Sequence, residues 1–135
     1  MRVVFDANVI AAGACWDGEP YLCLVKMARR QVLAFGSEDT VEETRDICTH
    51  LIRRKAPKHN ATGRLMWYLE RVQLVEPAPL GKQRSRDIKD DPYLAAGLAA
   101  KAQAIVTFDK DLLSLGKPFG IGIITPAQLL KAIKG

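Results

Sequence analysis

Several carboxylates fall where short apolar runs end. Asp6 directly follows the β-rich run Arg2-Val3-Val4-Phe5, and Asp109 and Asp111 come just after Ala104-Ile105-Val106-Thr107. Asp90 and Asp91 precede an Ala- and Leu-rich helical stretch, 92–103, that leads into the second of these runs. Glu42 and Glu43 lie within two turns of the start of another predicted helix, 38–54. If the apolar runs are parallel strands, ligands gather beyond their carboxyl ends. Helices between parallel strands run antiparallel to them, so their starts lie at that same end. Three segments then bring acids to one rim, and the helix from 38 makes a fourth. Crowded carboxylates repel unless something neutralises them. A divalent cation does so directly, and oxygen donors without clustered His or Cys favour Mg²⁺ or Mn²⁺ over zinc. Such a site orients a water and stabilises charge on a phosphodiester. Asp91 followed by Pro92 also reads as an ordinary helix N-cap. The joint placement of Asp6, Asp91 and Asp109 is harder to ascribe to chance.

The elements that must position these acids can be read along the chain. Residues 2–5, 32–35, 73–76, 104–107 and 120–124 read as five short strands. Pro20 suits the first turn of a helix with apolar residues at 21, 22, 24, 25 and 28. Ser37 is an N-cap candidate with Glu38 and Asp39 in the favourable first turn. Val41, Ile47, Cys48, Leu51 and Ile52 then recur at helical spacing until Ala56-Pro57. Asn60 caps a further helix carrying Leu65, Met66, Leu69 and Val72. Residues 77–90, with Pro77, Pro79 and Gly81, read as a loop. Thr125-Pro126 opens a last helix. Strands and helices largely alternate, which predicts a parallel α/β sheet covered on both faces.

The chain has 135 residues, 48% of them apolar, a length and composition that favour one globular domain over residues 1–135. Three cysteines, at 15, 23 and 48, form no CxxC pair, which argues for a reducing compartment. Asp6 and Asn8 interrupt the first apolar run, so it does not read as a signal peptide, and no stretch is long enough to span a membrane. The expected location is cytoplasmic. Net charge is +5, but it is unevenly spread: −3 over residues 1–52, +7 over 53–89 and +1 over 90–135. A basic middle between acid-bearing flanks suggests an anionic partner, although a solvated surface would look the same. Cys48-x-His50 is too small for zinc. Gly120-x-Gly122 lacks the context of a dinucleotide loop. Ser85 and Ser114 have no local His partner. Trp16, Trp67 and Tyr68 could stack on bases, but such residues more often pack in cores.

Val3-Val4-Phe5-Asp6-Ala7-Asn8-Val9-Ile10 resembles the opening strand of PIN-domain nucleases, in which Asp-x-Asn follows an apolar run. Val106-Thr107-Phe108-Asp109-Lys110-Asp111-Leu112-Leu113 resembles their later Thr-x-Asp-x-Asp signature. Asp91-Pro92-Tyr93-Leu94-Ala95-Ala96 resembles the helix led by another metal-binding Asp, and Ser37 to Glu43 the segment that supplies a helix Glu. Order, spacing and length are most similar to the PIN-family toxin components of toxin–antitoxin pairs. The resemblance implies an acidic metal site of Asp6, Glu43, Asp91 and Asp109, with Asp111 assisting and Asn8 and Thr107 hydrogen-bonding the ligands. It selects Glu43 over Glu42, which helix position alone does not. Ala7 departs from the family's usual Thr, and Pro92 after Asp91 is unusual; neither removes a carboxylate.

The reading is therefore a PIN-like three-layer α/β/α sandwich with a five-stranded parallel sheet. The expected activity is Mg²⁺- or Mn²⁺-dependent endoribonuclease cleavage, by a toxin restrained by an antitoxin, with a homodimer as the implied assembly. Arg53, Arg54, Lys55, Lys82, Arg84 and Arg86 are the candidates to hold the RNA backbone. One rival is a non-catalytic nucleic-acid-binding module with a degenerate acidic pocket. The other is a receiver or phosphoryl-transfer domain, but Glu76 stands where a receiver's phosphoacceptor Asp would follow the third strand.

Overall fold

A computed structural model describes residues 1–133. The strands are β1 (Arg2–Phe5), β2 (Leu33–Gly36), β3 (Gln73–Leu74), β4 (Ala104–Val106) and β5 (Gly122–Ile124). The helices are α1 (Ala7–Cys15), α2 (Glu19–Ala28), α3 (Glu38–Lys55), α4 (Ala61–Arg71), α5 (Asp91–Ala100), α6 (Lys110–Leu113) and α7 (Pro126–Ala132). The sheet order is β3-β2-β1-β4-β5 and every pairing is parallel. β1 is central, with Val3 opposite Ala34 on one side and Ala104 on the other. The order reverses between β1 and β4, so their carboxyl ends border the crevice of a doubly wound sheet.

Side-chain alternation along the strands divides the core into two layers. Val3, Phe5, Ala34, Ala104 and Val106 face a layer supplied by α1, α2, α3, α4 and α7, including Ile10, Leu24, Cys48, Leu65 and Leu129. Val4, Phe35, Ile105 and Ile123 face the other way, onto Tyr93, Leu94 and Ala96 of α5 and Leu112 of α6. The result is the α/β/α sandwich that the sequence predicts.

Helix starts follow the predicted chemistry. Ser37 and Thr40 form a reciprocal capping box on α3, Thr125 and Gln128 do the same on α7, and Asn60 caps α4 by accepting from the Gly63 amide. Two helices are not predicted by periodicity. α1 is buried almost all round, from Ala7 and Val9 through Cys15, so it has no polar face to mark a helical period. It passes close to α2: a Cβ on Gly13 would lie 3.2 Å from the Pro20 backbone, so glycine permits the approach. α6 is a single turn. β3 is shorter than the predicted 73–76, and as an edge strand it pairs only with β2. Among the described residues no helix is long and apolar enough to cross a membrane. All three cysteines are buried free thiols.

Candidate active site

Phe5 and Val106 are register partners at the ends of β1 and β4, so the next residues leave the sheet side by side. The Asp6 amide donates to the Val106 carbonyl at 2.9 Å, and the Thr107 amide to the Ile124 carbonyl at 2.9 Å. Asp6 is the N-cap residue of α1, yet its side chain makes no capping hydrogen bond. Its Oδ2 instead accepts from Thr107 Oγ1 at 2.7 Å. Thr107 Oγ1 also accepts from the Asp109 amide at 2.9 Å. One fully buried hydroxyl thus ties the acid after β1 to the segment after β4. Asp109 Oδ1 accepts from the Asp111 amide at 2.8 Å and caps α6.

α3 begins just beyond β2, and Ser37 fixes its start. Glu43, in the second turn, is half-buried, whereas Glu42 is exposed. Glu43 Oε1 accepts a short hydrogen bond from the hydroxyl of Tyr93, a buried residue in the first turn of α5. Tyr93 therefore selects Glu43 over its neighbour. The phenol's pKa is raised by burial, by its bond to Glu43, and by the charges of Asp6 and Glu43. Tyr93 is a site residue that sequence reasoning missed, because an aromatic on an apolar helix reads as core.

The fourth segment departs from expectation. The sequence reads Asp91 as the acid of this segment that faces the rim; in the structure it is Asp90 that lies against Asp109 and Asp6. Asp90 ends a 3₁₀ turn, Ile88–Asp90, and is 8% exposed. Its carboxyl lies beside Asp109. Its Oδ2 is buried, and no hydrogen-bond partner reaches it. Asp91 faces another way. Oδ1 accepts from the Ser85 amide at 2.8 Å and lies 2.6 Å from Ser85 Oγ, and Oδ2 accepts from the Arg84 amide at 3.0 Å. Successive residues in a helical turn point about 100° apart. Adjacent aspartates at this helix start therefore cannot both face the crevice.

The electrostatics separate the two in the same way. Asp90 is pushed up to about 7, by burial first and then by Asp109, Asp87 and Asp6. Asp6 is also raised: burial dominates, Thr107's hydrogen bond opposes it, Glu43 and Asp109 add repulsion, and the Ala7 amide pulls slightly back. For Asp91, burial alone would raise the pKa. The hydrogen bonds from Ser85 and the Arg84 amide, with Arg84's charge, outweigh it and hold the carboxyl below its usual value.

The structure thus brings Asp6, Glu43, Asp90 and Asp109 to one rim. Among the described residues no group of three or more acids is already drawn to metal-ligand spacing. The donor chemistry nonetheless suits a hard divalent cation: every group is a carboxylate, Asp6 and Asp90 are raised by burial first and by neighbouring acids second, and Asp90 Oδ2 is buried without a donor. Asp111 lies further out, half-exposed, with its Oδ1 3.7 Å from Arg86 Nη1. Asn8 is exposed at the start of α1.

The basic residues do not form one surface. Arg53, Arg54 and Lys55 occupy the last turn of α3. They lie ten to twelve residues past Glu43, about 15–18 Å along the helix and toward the opposite end of the sheet. Lys82, Arg84 and Arg86 are in the segment before α5, where Arg86 reaches Asp111 and the Arg84 amide meets Asp91. Arg84 lies over the Phe119 ring at 5.2 Å and donates to the Leu80 carbonyl. The remaining sequence candidates have structural roles or lie elsewhere. Cys48 is a core thiol that burial pushes up to about 12. Tyr68 packs edge-on against Phe5, and Trp16 is half-exposed.

Comparison with known proteins agrees with this fold. Residues 2–111 match a family model described as PIN domain. Among solved structures, the crystal structure of PAE2754 from Pyrobaculum aerophilum superposes with a TM-score of 0.65 at 18% identity. The match covers 98% of this chain and 89% of that one. At such identity the likeness establishes a shared fold. A comparison with curated proteins gives no match.

Proposed function

Because the chain belongs to the PIN-domain family, whose members are generally nucleases, we propose that it is a Mg²⁺- or Mn²⁺-dependent endoribonuclease. The observation that carries this reading is the meeting of Asp6, Glu43, Asp90 and Asp109 at the β1–β4 crevice, with a buried Asp90 oxygen that no donor reaches. These four carboxylates would hold the ion. A bound divalent cation supplies charge neutralisation at a phosphodiester and a site at which a water is oriented. The chain's own residues set the geometry. Thr107 holds the Asp6 carboxylate in one orientation and braces the Asp109 backbone, while Tyr93 fixes Glu43 against the crevice. Arg86, loosely paired with Asp111, and Arg84 on the same segment would meet the phosphates, in preference to Arg53, Arg54 and Lys55 in the last turn of α3.

The similarity of the ordered acidic motifs to PIN-family toxins supports RNA as substrate, an antitoxin as the restraining partner, a homodimer as the assembly and the cytoplasm as the location. The test is cleavage of single-stranded RNA by the purified protein with Mn²⁺ or Mg²⁺, compared with Asp6→Asn. Wild type should cut. Asp6→Asn should bind RNA at least as tightly, since an anion near the phosphates is gone, and should not cut. Cleavage by Asp6→Asn at the wild-type rate would remove Asp6 from the centre. RNA binding without cleavage in any metal would instead favour the non-catalytic module.

A further inference from the structure

The two adjacent aspartates at the start of α5 have different partners, and Asp91 is not used by the acid cluster. Its three hydrogen bonds all go to the strap that joins β3 to α5, residues 75–87. That strap has little secondary structure. One end is tied by the Ala78 amide to the Ala95 carbonyl at 3.1 Å. The other end depends on Asp91, which receives the Arg84 amide, the Ser85 amide and, within 2.6 Å, the Ser85 hydroxyl. Ser85 is buried, and its carbonyl accepts from Gln83 Nε2 at 2.8 Å. Arg84 and Arg86 flank this buried serine. Arg84 is laid on Phe119 and the Leu80 carbonyl, and Arg86 reaches Asp111 beside Asp109. The Arg86–Asp111 pair is long and largely exposed, so a phosphate can replace the aspartate at little cost.

We infer that Asp91 is a positioning residue: its carboxylate latches Arg84 and Ser85 so that Arg84 and Arg86 stand at the crevice mouth to receive RNA phosphates, while the neighbouring Asp90 serves the ion. The latch itself is read from the hydrogen bonds; its consequence for RNA rests on the nuclease reading above. The reason for two carboxylates in succession is geometric. One helical step turns the second side chain away from the first, so one faces the crevice and the other faces the strap. To turn into the crevice, Asp91 would have to release the Arg84 amide and the buried Ser85 amide, at the cost of an unpaired buried donor.

The experiment compares Asp91→Asn, Ser85→Ala and Asp90→Asn with wild type. In protein free of metal and RNA, Asp91→Asn should speed exchange of the Arg84 and Ser85 amides about tenfold or more, because a local opening becomes easier. The Mn²⁺-induced rise in melting temperature should persist in Asp91→Asn and vanish in Asp90→Asn. On RNA, Asp91→Asn should raise KM about tenfold with kcat within about threefold, the pattern of lost binding rather than lost chemistry. Ser85→Ala should move exchange and KM the same way by less, and it carries the test alone if Asp91→Asn does not fold. Unchanged exchange at residues 84 and 85 would overturn the latch. So would loss of the Mn²⁺ effect in Asp91→Asn, or a collapse of kcat at unchanged KM. If wild-type protein cuts no RNA, the nuclease reading falls, while exchange and metal-dependent melting still decide the latch.

Discussion

On the β1–β4 side of the crevice, Asp6 and Thr107 leave their strands with no loop between strand and site, and hydrogen bonds that continue the sheet hold their backbones. On the α5 side, Asp90 and Asp91 follow an irregular strap and a 3₁₀ turn, and side chains hold the geometry. The first flank takes its precision from a buried sheet whose central strand pairs on both sides. The second must build its own support, and one carboxylate goes to that task. The orientation of a site group can thus come from the backbone ladder or from a dedicated latch. Where the ladder ends, a second acid beside the first supplies what the sheet supplies elsewhere.

The largest expected effect tests whether Asp90 belongs with the β1–β4 acids. Asp90→Asn should lower cleavage by more than about a hundredfold, beyond the range for residues that merely support ligands. It should also change stability without metal, with a definite sign. Asp90 is held near 7 in the fold, well above an ordinary Asp. The native state therefore holds a proton that the unfolded chain has already released, and the associated stability is lost as pH rises from about 4 through 7. Melting of metal-free protein should fall across that range, and Asp90→Asn should flatten the fall. Thermal scans in a chelator from pH 5 to 8 check this; an unchanged slope would take Asp90 out of the cluster.

A smaller effect tests the hydroxyl that joins the strands. Thr107→Val keeps the shape but leaves Asp6 Oδ2 and the Asp109 amide without their shared partner. Cleavage should drop about 10- to 100-fold, and stability should fall by about 1–3 kcal/mol, the cost of unsatisfied buried groups. Denaturant titration and steady-state kinetics measure both. A stability loss without a rate loss would show that the bridge braces the fold alone.

The smallest effect separates the two basic groups. Arg84→Gln with Arg86→Gln should flatten the dependence of log RNA affinity on log salt by roughly 0.7 for each phosphate that the protein no longer neutralises. Arg53→Gln with Arg54→Gln, at the far end of α3, should leave it unchanged. Equal slopes for the two double variants would mean that neither cluster engages phosphate more than the other.

Much of this was legible in the residues. The apolar runs read to end at Phe5, Phe35 and Thr107 are strands that end at Phe5, Gly36 and Val106, and the caps at Ser37, Asn60 and Thr125 follow from side chains suited to orphan amides. α1 was not legible, since a helix buried almost all round loses the polar face that periodicity needs. Charge totals along the chain were misleading as well. The run from 53 to 89 reads as one basic block, yet α3 carries its beginning away from the acids while the strap brings its end back.

The sequence by itself determined the parallel α/β architecture and the gathering of acids at one edge, because strand direction and helix return are set by local pattern. Only the tertiary structure decided which of Asp90 and Asp91 turns toward the other acids, and only it supplied a physical reason for Glu43, which the family resemblance had picked out from Glu42. Glu43 is chosen by the Tyr93 hydroxyl, and Asp90 by the point at which the 3₁₀ turn becomes α5. Adjacent residues of one type are alike in every local propensity, and they differ only in the direction that the packed backbone gives each side chain.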